Sequence, residues 1–338
     1  MKYPLHLKQN DLIGITAPSG VADISKLDLS INNIKNMGFG VVETDNVRKC
    51  IPEELVSSSA IQRVTQFIEL WQKEDVRCII SASGGDFLME MIPILAKHPK
   101  VFENNKNLKW FQGYSDNSIL SFYITTTYNI ATINGANIGE FAMKNFHQAL
   151  KANFDLLTKG EIEFVQESFE KYQKVYDGRK PDSEYILTDE VMYKSLNFNG
   201  DKILKGRLIG GCLEAISNLV GTSYDCVAKF CKQFKEGMIW YLDIYDLDPI
   251  KLYQTLWQLN EATWFKNAKG FLIGRTYAAK EKDGFTYEMA LKKAFGSSVP
   301  VIYDVDIGHV APQWTLVNSA NSIFEFSNGK GKLTQTLK

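Results

Sequence analysis

No two cysteines in this chain stand in a C-x-x-C arrangement. Five thiols (Cys50, Cys78, Cys212, Cys226 and Cys231) are scattered over 338 residues, an odd number without framework spacing. That pattern excludes a disulfide-stapled scaffold and a zinc knot, and fits reduced thiols in a cytosolic protein. Charge of one sign is missing too: 38 Lys and Arg balance 39 Asp and Glu, for a net charge of -1. Without a basic excess there is no electrostatic footprint for nucleic acid, and no acidic tail reads as a solvating segment. Long apolar runs are absent; a membrane span needs about 18 such residues together. The opening Met1 to His6 lacks an apolar core of signal-peptide length. These absences predict a cytoplasmic globular protein with no membrane or nucleic-acid partner. Its length is too great for most single cores, so two domains are expected.

What is present is an alternation of strand-like and helix-like segments. Asp11 to Thr16 reads as a buried strand that ends in the loop Ala17-Pro18-Ser19-Gly20. A helical spacing runs from Ile24 to Met37, followed by a strand at Gly40 to Thr44. An amphipathic helix spans Ser57 to Lys73, with Ile61, Val64, Phe67, Ile68 and Trp71 on one face. Val76 to Ala82 is a third strand, Ser83-Gly84-Gly85-Asp86 a loop, and Phe87 to Leu95 a helix. Trp110 to Ser115 and Ala131 to Ala136 complete the series. Such alternation predicts an α/β fold: an N-terminal open, mostly parallel sheet flanked by helices. In sheets of this kind the loops at the carboxyl ends of the strands build the site.

The domain expected over residues 1–150 gives way to a linking excursion over 151–200, rich in charges and turn residues such as Asp177 to Ser183. Glu161 to Val165 and Ser183 to Leu187 read there as short strands. Residues 201–338 form a smaller C-terminal mixed α/β domain. Its strand Gly206 to Leu213 leads into a helix over Glu214 to Val220. Met238 to Asp243 is a strand tipped by an acid, and Pro249 to Asn260 a helix with Ile250, Tyr253, Leu256, Trp257 and Leu259 at a 3.6 period. Gly270 to Gly274 and Val299 to Tyr303 are further strands, and the end reads as a hairpin around Asn328-Gly329. Trp240, Tyr241, Trp257 and Trp264 fit core packing.

Chemistry gathers at three strand ends. Lys109 to Ser118 runs from an aromatic strand through Gly113-Tyr114-Ser115-Asp116 into an apolar helix. The block is either a turn whose Ser115 or Asp116 caps a helix, or an elbow that lifts the Ser115 hydroxyl clear of the sheet. Of four histidines, only His309 follows a glycine after a strand. Ser115, His309 and Asp243 together supply a nucleophile, a base and an orienting carboxylate. The amides of Gly84, Gly85 and Asp116 are candidates for an oxyanion hole. Removing one such donor typically costs a factor of roughly 100 to 1,000 in rate. Gly84 and Asp86 on one side, Gly211 and Cys212 on the other, are candidate substrate-binding positions, with Gly210-Gly211 otherwise a plain strand-to-helix turn. Ser83 to Asp86 can also cradle a phosphate, although the G-x-G-x-x-G spacing and a Walker lysine are lacking. Asp243, Asp246 and Asp248 lack the spacing of a metal loop.

In order along nearly the whole chain, these segments resemble the LD-carboxypeptidase family of serine peptidases. The resemblance rests on Ala17-Pro18-Ser19, Ser83 to Asp86, Gly113 to Asp116, Gly206 to Leu213 with Gly221-Thr222, the acid of Ile239 to Asp243, and Gly308-His309. The glycine pair and the Trp110 elbow are most similar to the microcin-immunity branch. The resemblance implies a serine carboxypeptidase-type hydrolase, usually a homodimer, that needs no metal or cofactor. It implies as substrate either a small wall peptide or an aminoacyl-nucleotide. Four positions depart from the family pattern. Asp243 replaces the usual glutamate; a reach shorter by roughly 1.5 Å can cost about 100-fold unless something compensates, and Asp246 is the alternative acid. Cys212 replaces an asparagine, Gly135-Ala136 replaces Gly-Pro, and residues 111–239 hold no tryptophan for an aromatic clamp. They keep a second class in view, a non-catalytic or altered small-ligand-binding member on the same scaffold. A phosphate-cradling sugar or nucleotide enzyme is a third.

Overall fold

Apart from two short two-stranded pairs, the strand-like segments sort into two sheets whose carboxyl edges meet. The computed structural model describes residues 1–103, 107–175 and 180–338. In the first sheet Gly40–Glu43, Leu12–Thr16, Val76–Ser81, Trp110–Gln112 and Ile133–Asn134 lie side by side and parallel. Leu316–Val317, from far along the chain, adds an antiparallel edge strand beside Ile133–Asn134. Alternate residues of Val76–Ser81 serve opposite faces. Cys78 and Ile80 pack with Ile13 and Ile15, whereas Ile79 packs with Phe67 and Phe111. Burial on both faces is why these strands read as continuous apolar runs. The flanking helices start where capping side chains allow. Asp23 accepts from the Lys26 amide ahead of Ile24–Asn36, and Ser59 from the Gln62 amide ahead of Ala60–Gln72.

The second sheet has eight strands. Lys202–Cys212, Met238–Asp243, Ala268–Gly274 and Val301–Val305 run parallel at its centre. Antiparallel strands flank them: Asn321–Ser327, Lys330–Thr336 and Glu163–Glu167 on one side, Lys194–Leu196 on the other. The closing hairpin turns through Asn328 and Gly329, with φ of 50° and 73°. Two left-handed residues in succession form the tight turn that Asn-Gly favours.

Helix Ser118–Tyr128 joins the two sheets. It is buried from Ser118 to Thr126, and its hydroxyls find partners inside the fold: Thr125 Oγ1 donates to the Ile130 carbonyl and Thr126 Oγ1 to that of Phe122. Its Phe122 stacks on Trp264 at 5.2 Å and lies 6.1 Å from Trp240. Among the described residues, no helix is long and apolar enough to cross a membrane.

Four expectations need correction. Trp257 is not a core residue: it is 53% exposed, and Leu252, Leu256 and Leu259 form the buried face of Pro249–Glu261. Two apolar stripes on that helix share the same period, and spacing alone does not choose between them. For the same reason Ile61 is exposed and Leu70 buried on Ala60–Gln72. Ser183 to Leu187 is not a strand; the local pairing joins Lys171–Tyr172 to Asp189–Glu190. The segment after Gly85 begins as the 3-10 turn Leu88–Glu90 before Met91–Leu95 becomes helical. Asp177 to Arg179, expected as a turn run, lie outside the described residues.

Candidate functional site

Strand Trp110–Gln112 ends in Gly113 and Tyr114, and Ser115 opens the 3-10 turn Ser115–Asn117 that feeds Ser118–Tyr128. Ser115 has a φ of 64°, a left-handed setting that a non-glycine residue holds only where its surroundings enforce it. Asn117 does much of that. It accepts from Ser81 Oγ at 2.7 Å and donates to the carbonyls of Ser83 at 2.8 Å and Tyr114 at 3.1 Å. The Asp116 side chain turns inward and accepts from Ser19 Oγ and from the Leu88 amide. Burial raises its pKa, and those two bonds oppose the shift.

Arg63 is buried and ties the neighbouring loops together. It donates to the carbonyls of Ser58, Pro18 and Phe87 and pairs with Glu90 at 2.6 Å. The Gly20 amide bonds to the Gly84 carbonyl, so the loops after the first and third strands abut. A Cβ on Gly84 would sit 3.0 Å from Ser115 Oγ. The glycine-rich loop therefore lies directly against the hydroxyl, and only a five-residue helix follows it.

From the second sheet, Asp243 ends Met238–Asp243 and His309 follows Val301–Val305. His309 Nε2 stands 3.0 Å from Ser115 Oγ, and Nδ1 lies 2.9 Å from Asp243 Oδ2 and 3.1 Å from Oδ1. Asp243 Oδ1 also accepts from the His309 amide at 3.3 Å. The short aspartate reaches because Gly308 lets the chain approach. Its φ is 86°, and a Cβ there would fall 1.7 Å from Asp243 Oδ1. Asp246 has a different place, its amide donating to Glu214 at 2.8 Å. Tyr114 and Tyr245 flank the imidazole with ring centroids 5.1 and 4.6 Å away. Burial alone would lower the His309 pKa. The charge and hydrogen bond of Asp243, helped by Glu214 and Glu140, outweigh it and raise the value.

These groups open onto a cavity of about 780 Å³ between the sheets. Ser115, Asp116, Gly84, Gly85, Asp86, Cys212 and His309 line it; Asp243 and Gly211 do not. Gly211 has a packing role: a Cβ would lie 2.7 Å from that of Ser118, and the next amide, of Cys212, donates to Ser118 Oγ at 3.0 Å. The other histidines lie elsewhere, His6 on the Leu156 carbonyl and His147 capping Gln148–Thr158.

Glu214, Tyr245 and Tyr277 line the cavity without having stood out in the sequence. Glu214 Oε1 accepts from the amides of Tyr245 at 2.9 Å and Asp246, and burial raises its pKa. With Tyr114, these tyrosines give the cavity aromatic walls. Among the described residues, no lysine or arginine lines the main cavity. Lys26 lines a smaller one on the far side of His309, together with Glu140 and Gln173.

Relatives share the fold. Residues 13–135 match the family model for the LD-carboxypeptidase N-terminal domain, and residues 205–322 that for the C-terminal domain. A probable murein peptide carboxypeptidase of Bacillus subtilis is 21% identical over 326 residues, covering 91% of this chain and 87% of its own. The solved structure of an MccF-like protein from Bacillus anthracis superposes with a TM-score of 0.83 at 22% identity, over all of both chains. The microcin C7 self-immunity protein MccF, solved in complex with aspartyl sulfamoyl adenosine, gives a TM-score of 0.80 at 18% identity, over 99% of this chain and 98% of that one. Matched in both halves and in order, the chain belongs to the LD-carboxypeptidase family.

Proposed function

We propose that the protein is a metal-independent serine hydrolase that cleaves an amide bond in a small peptide or aminoacyl conjugate. The observation that carries this reading is the unbroken path Ser115 Oγ, His309, Asp243, with hydrogen-bonded steps of 3.0 and 3.1 Å. A serine hydroxyl is a poor nucleophile until a neutral imidazole takes its proton as it attacks. His309 Nε2 is that base, and it then returns the proton to the leaving amine. Asp243 keeps the proton of neutral His309 on Nδ1 and stabilises the imidazolium that forms. The backbone amides of Gly85 and Asp116 are the oxyanion donors in this scheme. Among the described residues, neither is engaged by a protein acceptor.

The lining charge bears on the substrate. Asp86, Glu214 and Asp246 border the main cavity and Lys26 only the smaller one. An ammonium group suits the larger space, and Lys26, which shares the smaller one with Glu140, offers a cation to a terminal carboxylate. That arrangement favours a zwitterionic peptide over a phosphate-bearing conjugate. The solved relative with aspartyl sulfamoyl adenosine supports the second class, so both belong in the assay. The purified chain is incubated with an L,D-tetrapeptide and with an aminoacyl sulfamoyl adenosine, and products are weighed by mass spectrometry. The reading expects amide cleavage of at least one, abolished in Ser115→Ala. Equal turnover by that variant refutes it.

A further inference from the structure

Cys212 has no part in the proposed hydrolysis, yet the fold sets it beside the groups that do. In the parallel pairing of Lys202–Cys212 with Met238–Asp243, Cys212 is the register partner of Asp243. Cross-strand partners share a face of the sheet, so thiol and carboxylate lie side by side. Ligand atoms of Cys212, Asp243 and His309 all fall within 4.8 Å of one another. Glu214 stands outside that group, although its Oε2 is 3.5 Å from Cys212 Sγ. Asp243 Oδ2 is buried and, although near Nδ1, receives no well-directed hydrogen bond. Such an acceptor is costly to leave unsatisfied. One sulfur and one imidazole nitrogen at the cavity wall, with a carboxylate oxygen buried just behind them, form three donors of the kind a tetrahedral zinc-like cation takes.

We propose that this cluster is an inhibitory site for a thiophilic divalent cation, zinc or cadmium, held by Cys212, Asp243 and His309 with the fourth position open to the cavity. On binding, the sulfur–metal bond replaces the S–H bond and that proton leaves to solvent, while the His309 proton shifts from Nδ1 to Nε2 so that Nδ1 can ligate. No group is oxidised or reduced. The cation takes the carboxylate and the imidazole out of the path to Ser115, so the hydroxyl loses its base. Inhibition rests on the hydrolase reading above, whereas binding does not.

The test uses the full chain after chelator treatment, titrated with cadmium and with zinc. Cadmium–thiolate absorption in the ultraviolet reports binding, and amide hydrolysis reports inhibition, each variant being normalised to its own metal-free rate. The proposal expects one thiolate-bound cadmium per chain, with the absorption abolished in Cys212→Ala and retained when Cys50 and Cys226 are both replaced by alanine. It expects zinc inhibition to weaken in Cys212→Ala by at least about tenfold, the loss that even outer-shell substitutions produce. Absorption that persists in Cys212→Ala, or equal zinc sensitivity in both proteins, overturns it. A chain that binds cadmium through Cys212 but hydrolyses nothing sinks the hydrolase reading and leaves the site standing.

Discussion

Replacing Gly308 by alanine tests the packing that lets a short acid serve His309. The new methyl would lie 1.7 Å from Asp243 Oδ1, where real contacts essentially never fall below 3.0 Å. Carboxylate and loop must therefore part by at least about 1.3 Å. A misplacement near 1 Å costs on the order of 100-fold in rate, or about 2.7 kcal/mol of barrier. The φ of 86° adds a penalty for any L-residue, roughly 1 to 2 kcal/mol of stability. Gly221→Ala separates the two effects: its φ is 74°, but nothing lies within 4 Å of the added methyl. The assay is the second-order rate of amide hydrolysis, with melting temperature in parallel. Both variants should melt lower, and only Gly308→Ala should lose about 100-fold or more in rate. Equal rates in the two variants would refute the argument that this glycine creates the Asp243–His309 contact.

Further outcomes follow from other parts of the site. Because Asp243, Glu214 and Glu140 together raise the His309 pKa, the rate should climb with pH through a midpoint above about 6.5, the ordinary histidine value. The imidazolium correspondingly contributes stability that is full below that ordinary value and fades as pH rises through the raised one. In Asp243→Asn the midpoint should fall and the rate drop by roughly four orders of magnitude; an unmoved midpoint counts against the coupling. Glu214→Gln keeps an acceptor for the Tyr245 and Asp246 amides, so melting should hold while KM rises for ammonium-bearing peptides; unchanged KM argues against a charge role. Arg63→Met leaves three carbonyls without their donor and should cost about 3 kcal/mol or more in denaturant unfolding.

Much of this was legible in the sequence because it depends on local chain geometry. Trp110 to Ser118 carries its strand, turn and helix within ten residues, and Gly308-His309 declares a turn ahead of an imidazole. The Asn328-Gly329 hairpin is equally local. What escaped depends on partners distant in the chain. Glu214 acquires its place only when the loop of Tyr245 and Asp246 folds over it. Leu316–Val317 has no pattern that assigns it to the first sheet rather than the second. The buried stripe of Pro249–Glu261 shares its period with the exposed one that includes Trp257, so only the packed partner decides. Gly308 compensating for the shortened acid is likewise a contact between segments some 66 positions apart.

The most direct measurement of the central claim is peptide mapping after treatment with a fluorophosphonate, which reports which hydroxyl has been activated without any assumption about substrate. The account predicts a single adduct on Ser115, formed in the native chain and lost in His309→Ala. An adduct on another serine, or labelling of Ser115 that is indifferent to His309, would contradict it.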